Sequence, residues 1–311
     1  MNQIFSMFAI FIALFLFGMT VMRQGLLHLQ GERMTSIIYK ATDNPYKGFI
    51  VGIIVTALLQ SSSAVMVITV GLVASGFIPF RHSIGIILGT NIGTVVTLEI
   101  LAFDLAILIF PLLFLGILLL LQRSQLLFSI GCFCFGFSSM LVAMHGFETL
   151  SYPLSSLAIV YDWLVSTNEI ESLAVTIGVI LSGIIQSSSA VTAIAMSFMN
   201  ENLLQLPAGI SIMLGANLGT CVTALLASLG GSKESKLTAY THIWVNIIGI
   251  VLFFPFIHLL ATTVETLSSS PSQQLAHAAL LFNVVCSLIF LPFIHSLSRF
   301  VQWIHRTPVN Y

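Results

Sequence analysis

The hexapeptide Gln60-Ser-Ser-Ser-Ala-Val65 occurs a second time as Gln186-Ser-Ser-Ser-Ala-Val191. A neighbouring motif repeats in the same way, since Gly89-Thr-Asn-Ile-Gly-Thr94 returns as Gly215-Ala-Asn-Leu-Gly-Thr220. Both motifs return after the same 126 residues. Two motifs at one offset indicate that the chain contains two copies of one structural unit. Because the repeated residues are polar and their surroundings are apolar, we expect the two copies to supply two halves of one site.

The composition is that of a membrane protein. Hydrophobic residues make up 57% of the 311 residues and charged residues only 7%, against about 25% charged residues in soluble domains. The apolar stretches approach the roughly 20 residues that cross a bilayer, and they lack the alternation of barrel strands. An all-α polytopic membrane protein is therefore predicted. The net charge of −1 gives no reason to expect nucleic acid as a partner. The predicted crossings are residues 4–22, 84–100, 105–121, 126–144, 210–229, 237–260 and 275–297.

The two Gln-Ser-Ser-Ser motifs interrupt long apolar segments, Phe49–Gly76 and Leu173–Met199. Four consecutive polar side chains would face every side of a continuous helix, so some would point at lipid. A break at the motif removes this difficulty by giving two half-helices that enter and leave on the same side. We therefore predict re-entrant helical hairpins over residues 49–77 and 172–200.

The hairpins divide the chain into a first repeat over residues 1–122 and a second over residues 123–311. Each repeat is also expected to contain a crossing helix that is broken near Asn91 or Asn217, where paired glycines permit unwinding.

The distribution of charge supports this topology. When the hairpins return to their side of entry, all ten basic residues fall on one side of the membrane. Full crossing by both serine segments would scatter them. By the positive-inside rule the C-terminus is then cytoplasmic and the N-terminus outside. The two hairpins enter from opposite faces on this path, so the repeats are inverted, as in many transporters. The basic residues are Arg23, Arg33, Lys40, Lys47, Arg81, Arg123, Lys233, Lys236, Arg299 and Arg306.

A broken helix at membrane depth offers ligands for both an anion and a cation. The helix that begins after the break has free N–H groups for an anion, and serine is a good N-cap. The helix that ends there presents carbonyl oxygens to a cation. The amide and hydroxyl groups of both motifs add oxygens that suit Na⁺. Because the hairpins contain no lysine or arginine at the motif, coupling of an anion to Na⁺ is physically natural.

At these residues the sequence resembles the type II sodium-dependent phosphate cotransporter family, including its bacterial members. The matching elements are the two Gln-Ser-Ser-Ser motifs and the two glycine-asparagine motifs, which occur in order at matched spacing. The resemblance implies sodium-coupled symport of inorganic phosphate by alternating access across the cytoplasmic (inner) membrane. No further cofactor is implied, and the family suggests a homodimer.

The resemblance also implies the site residues. Thr192 falls where relatives often carry a hydroxyl, although its counterpart in the first copy is Met66. The residues expected to bind phosphate are Ser61, Ser62, Ser63, Ser187, Ser188, Ser189, Asn91 and Asn217. Those expected to bind Na⁺ are Gln60, Gln186, Ser62, Ser188, Thr90, Thr94, Thr192 and Thr220.

Other functions stay open at this point. Sites of dipoles and hydroxyls recognise tetrahedral oxyanions in general, so another small oxyanion is an alternative substrate. A membrane-embedded lipid pyrophosphatase would need acid–base groups and arginine at the phosphate, which the motifs lack, so we expect no enzyme activity. An ion channel is disfavoured because paired hairpins suit occlusion. His242 and His277 are expected to form hydrogen bonds with neighbouring helices rather than relay protons.

Overall fold

The computed structural model of the chain describes residues 2–30, 38 and 43–306, so Arg33 and Lys40 lie outside the described residues. Within these ranges there are helices and short connections and no strand. The α-helices are α1 (Asn2–Gln30), α2 (Pro45–Leu59), α3 (Ser62–Ala74), α4 (Phe80–Leu101), α5 (Ile109–Leu120), α6 (Gln125–Ser155), α7 (Ala158–Glu169), α8 (Glu171–Ile185), α9 (Ser188–Asn200), α10 (Leu206–Gly219), α11 (Cys221–Ala227), α12 (Lys233–Phe253), α13 (Ile257–Glu265), α14 (Pro271–Phe290) and α15 (Ile294–Ile304). Short 3₁₀ turns at Ala106–Leu108, Phe254–Phe256 and Leu291–Phe293 precede α5, α13 and α15.

Six helical stretches of the described chain are long and apolar enough to cross a membrane. The all-α polytopic architecture predicted from the sequence is confirmed. The one predicted crossing that is not among these six, residues 105–121, falls on a shorter apolar helix, Ala106–Leu120. The six long stretches are Gln3–Leu29, Phe80–Leu101, Gln125–Ser155, Leu206–Ala227, Lys233–Glu265 and Pro271–Ile304.

Helices α2 and α4 pack side by side and run in the same direction. Gly89 lies against the carbonyl oxygen of Phe49, and Gly93 lies against the carbonyl oxygen of Ile53. Each contact joins a residue of α2 to the residue 40 positions further along, and a constant offset of this kind requires parallel helices. A Cβ atom at Gly89 would overlap the Phe49 oxygen, so glycine is what allows the two backbones to touch.

The second copy repeats this packing between α8 and α10. Gly215 lies against the carbonyl oxygen of Val175, and Gly219 lies against that of Val179. The offset is again 40 residues, and each of these residues follows its first-copy counterpart by 126 positions. The glycines of the asparagine motifs therefore fix one helix register in both copies.

Helices α3 and α9 run back along α2 and α8. Helix α4 starts beside the first turn of α2, because the backbone of Gly85 lies against the carbonyl oxygen of Pro45. Helix α3 joins the far end of α2 to the start of α4, so it must return to the level at which α2 began. The same reasoning applies to α9. Each Gln-Ser-Ser-Ser motif thus lies at the tip of a pair of helices, and the entry of these pairs into a membrane stays a prediction.

The helices that carry the asparagine motifs differ from expectation. Helix α4 runs without interruption through Asn91. Its glycines serve contact with α2 rather than unwinding, and the hydroxyls of Thr90 and Thr94 donate to carbonyl oxygens of the preceding turn. In the second copy the interruption lies at Thr220, between α10 and α11, three residues after Asn217. The predicted break near Asn91 is therefore absent, whereas the break predicted near Asn217 lies at Thr220, the last residue of the same motif.

Helices α1 and α6 form an antiparallel pair. Gly18 lies against the carbonyl oxygen of Gly136, and Gly25 lies against the carbonyl oxygen of Ser129. The contacts thus move backwards along α6 as they move forwards along α1. Small residues allow this close approach between apolar helices. The main apolar core lies between this pair and α4, α9, α10, α12 and α14.

Candidate functional site

The chain reverses direction at Gln60 and Ser61. Gln60 has φ 52° and ψ 32°, in the left-handed region, and Ser61 is extended with φ −155° and ψ 97°. The Oγ atom of Ser61 accepts a hydrogen bond from the N–H of Ala64 at 3.1 Å and so caps α3. A left-handed conformation costs a residue other than glycine roughly 1–2 kcal/mol. The tip is therefore a strained turn built without glycine.

The second tip has the same geometry. Gln186 has φ 58° and ψ 30°, and Ser187 has φ −149° and ψ 106°. The N–H of Ala190 donates to the Oγ atom of Ser187 at 3.2 Å. Backbone strain that is retained at equivalent glutamines of both copies is typical of functional sites.

Helix α1 contacts both tips at positions one turn apart. The hydroxyl of Ser187 donates to the Sδ atom of Met19 at 3.8 Å. The Nε atom of Arg23 donates to the carbonyl oxygen of Gln60 at 2.8 Å. Met19 and Arg23 are four residues apart, which corresponds to about 6 Å along one face of a helix. The fold thus brings the two motifs to neighbouring positions on α1.

The contact of Arg23 with the first tip was not predicted from the sequence. The first helix was predicted to end at Met22, but α1 continues past Arg23 and leaves it half-buried. No described carboxylate forms an ion pair with it. Its guanidinium lies instead at the carbonyl end of α2, which is the negative end of a helix dipole. The available signal was an arginine inside a 27-residue apolar span.

The remaining motif serines occupy the first turns of α3 and α9, where backbone N–H groups have no partner within the helix. The hydroxyls of these serines make no hydrogen bond to a described residue. The pair in the second copy is buried, whereas the pair in the first copy is half-buried. Free N–H groups, hydroxyls and two positive helix ends suit an oxyanion. These serines are Ser62, Ser63, Ser188 and Ser189.

The two glutamine side chains differ in their contacts. The Oε1 atom of Gln60 accepts a hydrogen bond from the hydroxyl of Thr97 at 2.6 Å. The counterpart threonine, Thr223, donates to the carbonyl oxygen of Thr220 instead. Gln186 is exposed, and its amide makes no hydrogen bond to a described residue. The first tip therefore holds its amide in place, and the second leaves it free.

The model of the Na⁺/Pi-cotransporter family matches residues 14–149 and residues 157–290. The chain belongs to this family. The family consists of transporters and not of enzymes, so the helices described above are those of a multi-pass membrane transporter in a phosphate-transporting family. The sequence resemblance is thereby confirmed.

Individual relatives agree with this assignment. The uncharacterized protein YqeW of Bacillus subtilis (strain 168) is 39% identical over 269 residues, covering 86% of this chain and 88% of that protein. The putative inorganic phosphate export protein YjbB of Escherichia coli (strain K12) is 27% identical over 258 residues, covering 83% of this chain and 48% of YjbB. The sodium-dependent phosphate transport protein 2A of Ovis aries is 40% identical over 95 residues, covering 30% of this chain and 15% of that protein. No solved structure matches.

In this family member, the asparagine motifs lie on the helices that pack beside the tips. Asn91 and Asn217 are half-buried, and the Nδ2 atom of Asn217 lies 3.8 Å from the Sδ atom of Met213. The hydroxyl of Thr220 donates to the carbonyl oxygen of Asn217 at 2.9 Å. Threonine hydroxyls that donate in this way keep a lone pair for a cation. Contact of these residues with a transported ion stays a prediction.

Thr192 lies one turn after Ser188 on α9. Its side chain is 1% exposed and its Oγ1 atom has no hydrogen-bond partner. The counterpart Met66 is buried in an apolar cluster with Ile87 and Ala224. A cation that used this position would find a hydroxyl in the second copy alone.

The described residues contain no group of three or more His, Cys, Asp or Glu side chains that could hold a metal ion. The described residues of the tips offer neutral hydroxyl, amide and carbonyl oxygens. Such hard oxygen ligands suit an alkali cation rather than a soft transition metal.

Ionisable side chains also lie in the long helices. His277 Nδ1 lies 3.0 Å from Glu99 Oε1, so His277 bonds a neighbouring helix as predicted. The Nδ1 atom of His242 is buried and makes no hydrogen bond. Glu148 lies within α6 and accepts a hydrogen bond from Asn200 at 2.7 Å, beside a cavity of about 480 Å³.

Proposed function

We propose that the chain catalyses sodium-coupled symport of inorganic phosphate by alternating access, with the two hairpin tips as a shared site. The observation that carries this proposal is the contact of both tips with Met19 and Arg23, one turn apart on α1. The starts of α3 and α9, which are far apart in sequence, are thereby brought close to the same part of α1. An oxyanion bound there would receive N–H and hydroxyl donors from both copies.

The residues divide by the charge that they attract. The serines at the starts of α3 and α9, with Asn91 and Asn217, would bind phosphate. Gln60, Gln186 and Thr192, together with Ser62, Ser188, Thr90, Thr94 and Thr220, would bind Na⁺. Arg23 places a positive charge behind the first tip.

Sodium coupling follows from the cost of burying charge. Among the described residues, Arg23 is the basic residue that forms a hydrogen bond with a tip residue, and one cation cannot balance a divalent phosphate. An unbalanced buried ion is costly, so Na⁺ and phosphate each lower the cost of binding the other.

The arrangement of the helices supports inverted repeats over residues 1–122 and 123–311. Residues 4–22 of α1 have their counterparts at 130–148 of α6, and these two helices are antiparallel. The two copies therefore contribute this helix in opposite directions. Rocking of such halves about a central site is a common means of alternating access. The tips would then belong to re-entrant hairpins that enter from opposite faces.

We further propose location in the cytoplasmic membrane with the N-terminus outside and the C-terminus inside, from the distribution of basic residues. Labelling of single cysteines introduced at Asp43 and Asp162 with a membrane-impermeant reagent tests this orientation. Labelling of Asp162→Cys but not Asp43→Cys in intact cells supports it, and the reverse pattern contradicts it. The homodimer implied by the family is tested by the mass of the purified chain in detergent.

The direction of transport is set by the ion gradients. The Escherichia coli relative is named as a phosphate exporter, and the Ovis aries relative as sodium-dependent. A symporter runs in either direction, so we propose uptake under an inward Na⁺ gradient.

The test is uptake of labelled phosphate into proteoliposomes. Uptake is expected with an inward Na⁺ gradient and not with choline in its place, and equal uptake in both would contradict sodium coupling. Unlabelled sulfate and arsenate added as competitors distinguish phosphate from oxyanions in general.

The shared site is tested by Gln60→Ala and Gln186→Ala. Each variant is expected to abolish uptake while the protein remains folded in the membrane. Normal uptake by both variants would remove the case for a site at the tips.

A further inference from the structure

Two buried hydroxyls without partners recur at equivalent positions of the two copies. Thr56 and Ser182 are separated by the repeat offset of 126 residues, and each is 0% exposed. The Oγ1 atom of Thr56 and the Oγ atom of Ser182 have no hydrogen-bond partner. A buried polar group without a partner costs about 1–3 kcal/mol. Because this cost occurs at equivalent positions of both copies, we expect the two free hydroxyls to have a function.

Several buried hydroxyls elsewhere in the helices avoid this cost, although those of Ser129 and Thr192 do not. The hydroxyls of Thr69, Thr241 and Ser151 each donate to the carbonyl oxygen four residues earlier in the same helix. This bond is the usual one for a helical serine or threonine. Thr56 and Ser182 do not make it, so their hydroxyls are kept free for another contact.

The surroundings of the two hydroxyls are the same. A Cβ atom at Gly93 would lie 2.6 Å from the Cβ atom of Thr56, and one at Gly219 would lie 2.9 Å from that of Ser182. Each hydroxyl residue therefore packs against the second glycine of an asparagine motif. The absence of a side chain on that glycine allows this close approach.

Both hydroxyls lie in the last turn before a tip. Helix α2 ends at Leu59 and α8 ends at Ile185, three residues after Thr56 and Ser182 respectively. The last four carbonyl groups of a helix have no partner within it, and they form the negative end of the helix dipole. In this turn the Ser182 carbonyl accepts a hydrogen bond from the N–H of Gln186, and the Ala57 carbonyl accepts one from the Gln60 side chain. The carbonyls that stay free, together with the hydroxyl of the same turn, would supply neutral oxygens of the kind that a dehydrated Na⁺ requires.

We propose that Thr56 and Ser182 are Na⁺ ligands, one at the carbonyl end of each inner hairpin helix. At each hairpin tip, Na⁺ would then lie at the end of the first helix, α2 or α8. Phosphate would lie at the start of the second helix, α3 or α9. The two positions are equivalent in the repeat, but the guanidinium of Arg23 already donates to the Gln60 carbonyl at the end of α2. We therefore expect the Ser182 site, at the end of α8, to bind Na⁺ more tightly than the Thr56 site, because like charges repel. This inference rests on the proposed sodium coupling.

The test compares Thr56→Val and Ser182→Ala, which remove the hydroxyls, with Thr56→Ser, which keeps one. Ser129→Ala is the matched control, because the Ser129 hydroxyl is equally buried and without a partner but lies on α6, outside the hairpins. The melting temperature of each purified full chain is measured in choline and over a range of Na⁺ concentrations. Labelled phosphate uptake supplies the half-saturating Na⁺ concentration.

In choline, all three hydroxyl deletions are expected to melt at or above the wild-type temperature, because an unsatisfied buried group has been removed. Na⁺ should raise the melting temperature of Thr56→Val and Ser182→Ala less effectively, because a ligand to a charged ion is lost. The Na⁺ concentration that gives half of the rise in melting temperature should increase at least about tenfold. Ser129→Ala and Thr56→Ser should keep the wild-type Na⁺ response. If Thr56→Val does not fold, Thr56→Ala serves in its place.

The outcomes separate this inference from the proposed function. If Thr56→Val and Ser182→Ala both respond to Na⁺ as the wild type does, Thr56 and Ser182 are not Na⁺ ligands. That result leaves the proposed sodium coupling intact. A wild-type chain with no Na⁺ response in melting or in uptake overturns both.

Discussion

The Nε atom of Arg23 donates to the carbonyl oxygen of Gln60 across 2.8 Å. This bond joins the C-terminal part of the apolar helix α1 to the strained residue at the first hairpin tip. The second tip has no equivalent, because Ser187 rests instead on the uncharged Met19. The two tips are thus alike in backbone and unlike in charge. Under the proposed mechanism of alternating access, this difference in charge would let the two tips bind ions differently.

Replacement of Arg23 should impair phosphate transport. Arg23→Met removes a charged hydrogen bond of about 1.5–3 kcal/mol, so kcat/KM for phosphate uptake is expected to fall roughly 10- to 100-fold. The kcat/KM of Arg23→Lys should lie between that of Arg23→Met and that of the wild type. Lysine keeps the positive charge but lacks the planar guanidinium group that presents several N–H donors. Arg123→Met is the control, since Arg123 is exposed. Equal uptake by Arg23→Met and the control would contradict a role for the bond.

The two tips should respond differently to loss of a threonine. Thr97→Val removes the 2.6 Å hydrogen bond to Gln60, which is worth about 0.5–1.5 kcal/mol, so KM for phosphate or Na⁺ should rise about two- to tenfold. Thr223→Val, at the equivalent position, breaks only a bond to its own helix. Thr223→Val should therefore leave the KM values for phosphate and for Na⁺ near those of the wild type. Matching losses in the two variants would show that the observed asymmetry does not matter for transport.

The glycines that join the parallel helices should not tolerate alanine. A Cβ atom at Gly89 or Gly215 would overlap a carbonyl oxygen of α2 or α8, so each variant is expected to lose about 1–3 kcal/mol of stability or more. Gly71→Ala is the control, because nothing lies within 4 Å of its Cβ position. It should gain about 0.5–1 kcal/mol from helix propensity. Thermal unfolding of the purified proteins measures all three, and an unchanged Gly89→Ala would argue against the packing.

The Glu99–His277 pair should be energetically coupled. The two side chains are 24% and 28% exposed and lie 3.0 Å apart, and residues in contact show coupling of about 0.5–1 kcal/mol or more. A double-mutant cycle of Glu99→Ala and His277→Ala, scored by thermal unfolding, measures this energy.

The Glu171–His258 pair is the matched control for this cycle. It is as close, at 2.8 Å, but its histidine is 78% exposed. Its coupling should be smaller because solvent screens the interaction. Additive effects at Glu99 and His277 would mean that the pair does not hold α4 to α14.

Much of the fold could be predicted from the sequence, because the relevant constraints are local or compositional. A chain with 7% charged residues cannot present a soluble surface. Serine motifs inside apolar segments predicted a break in each helix, and the helices do stop at Leu59 and Ile185. The identical offset of the motifs predicted equivalent structures, and Gln60 and Gln186 have the same left-handed conformation. The family resemblance rested on the same motifs.

What the sequence by itself determined, then, is the class of protein, its two copies and the polar residues of each tip. The tertiary structure alone decided that Arg23 reaches Gln60, that α4 stays continuous through Asn91, and that Thr56 and Ser182 are buried without partners. These features depend on distances between helices that are remote in sequence. A hydroxyl in a helix can bond its own backbone or point at a neighbour, and only the packing of that neighbour determines which it does.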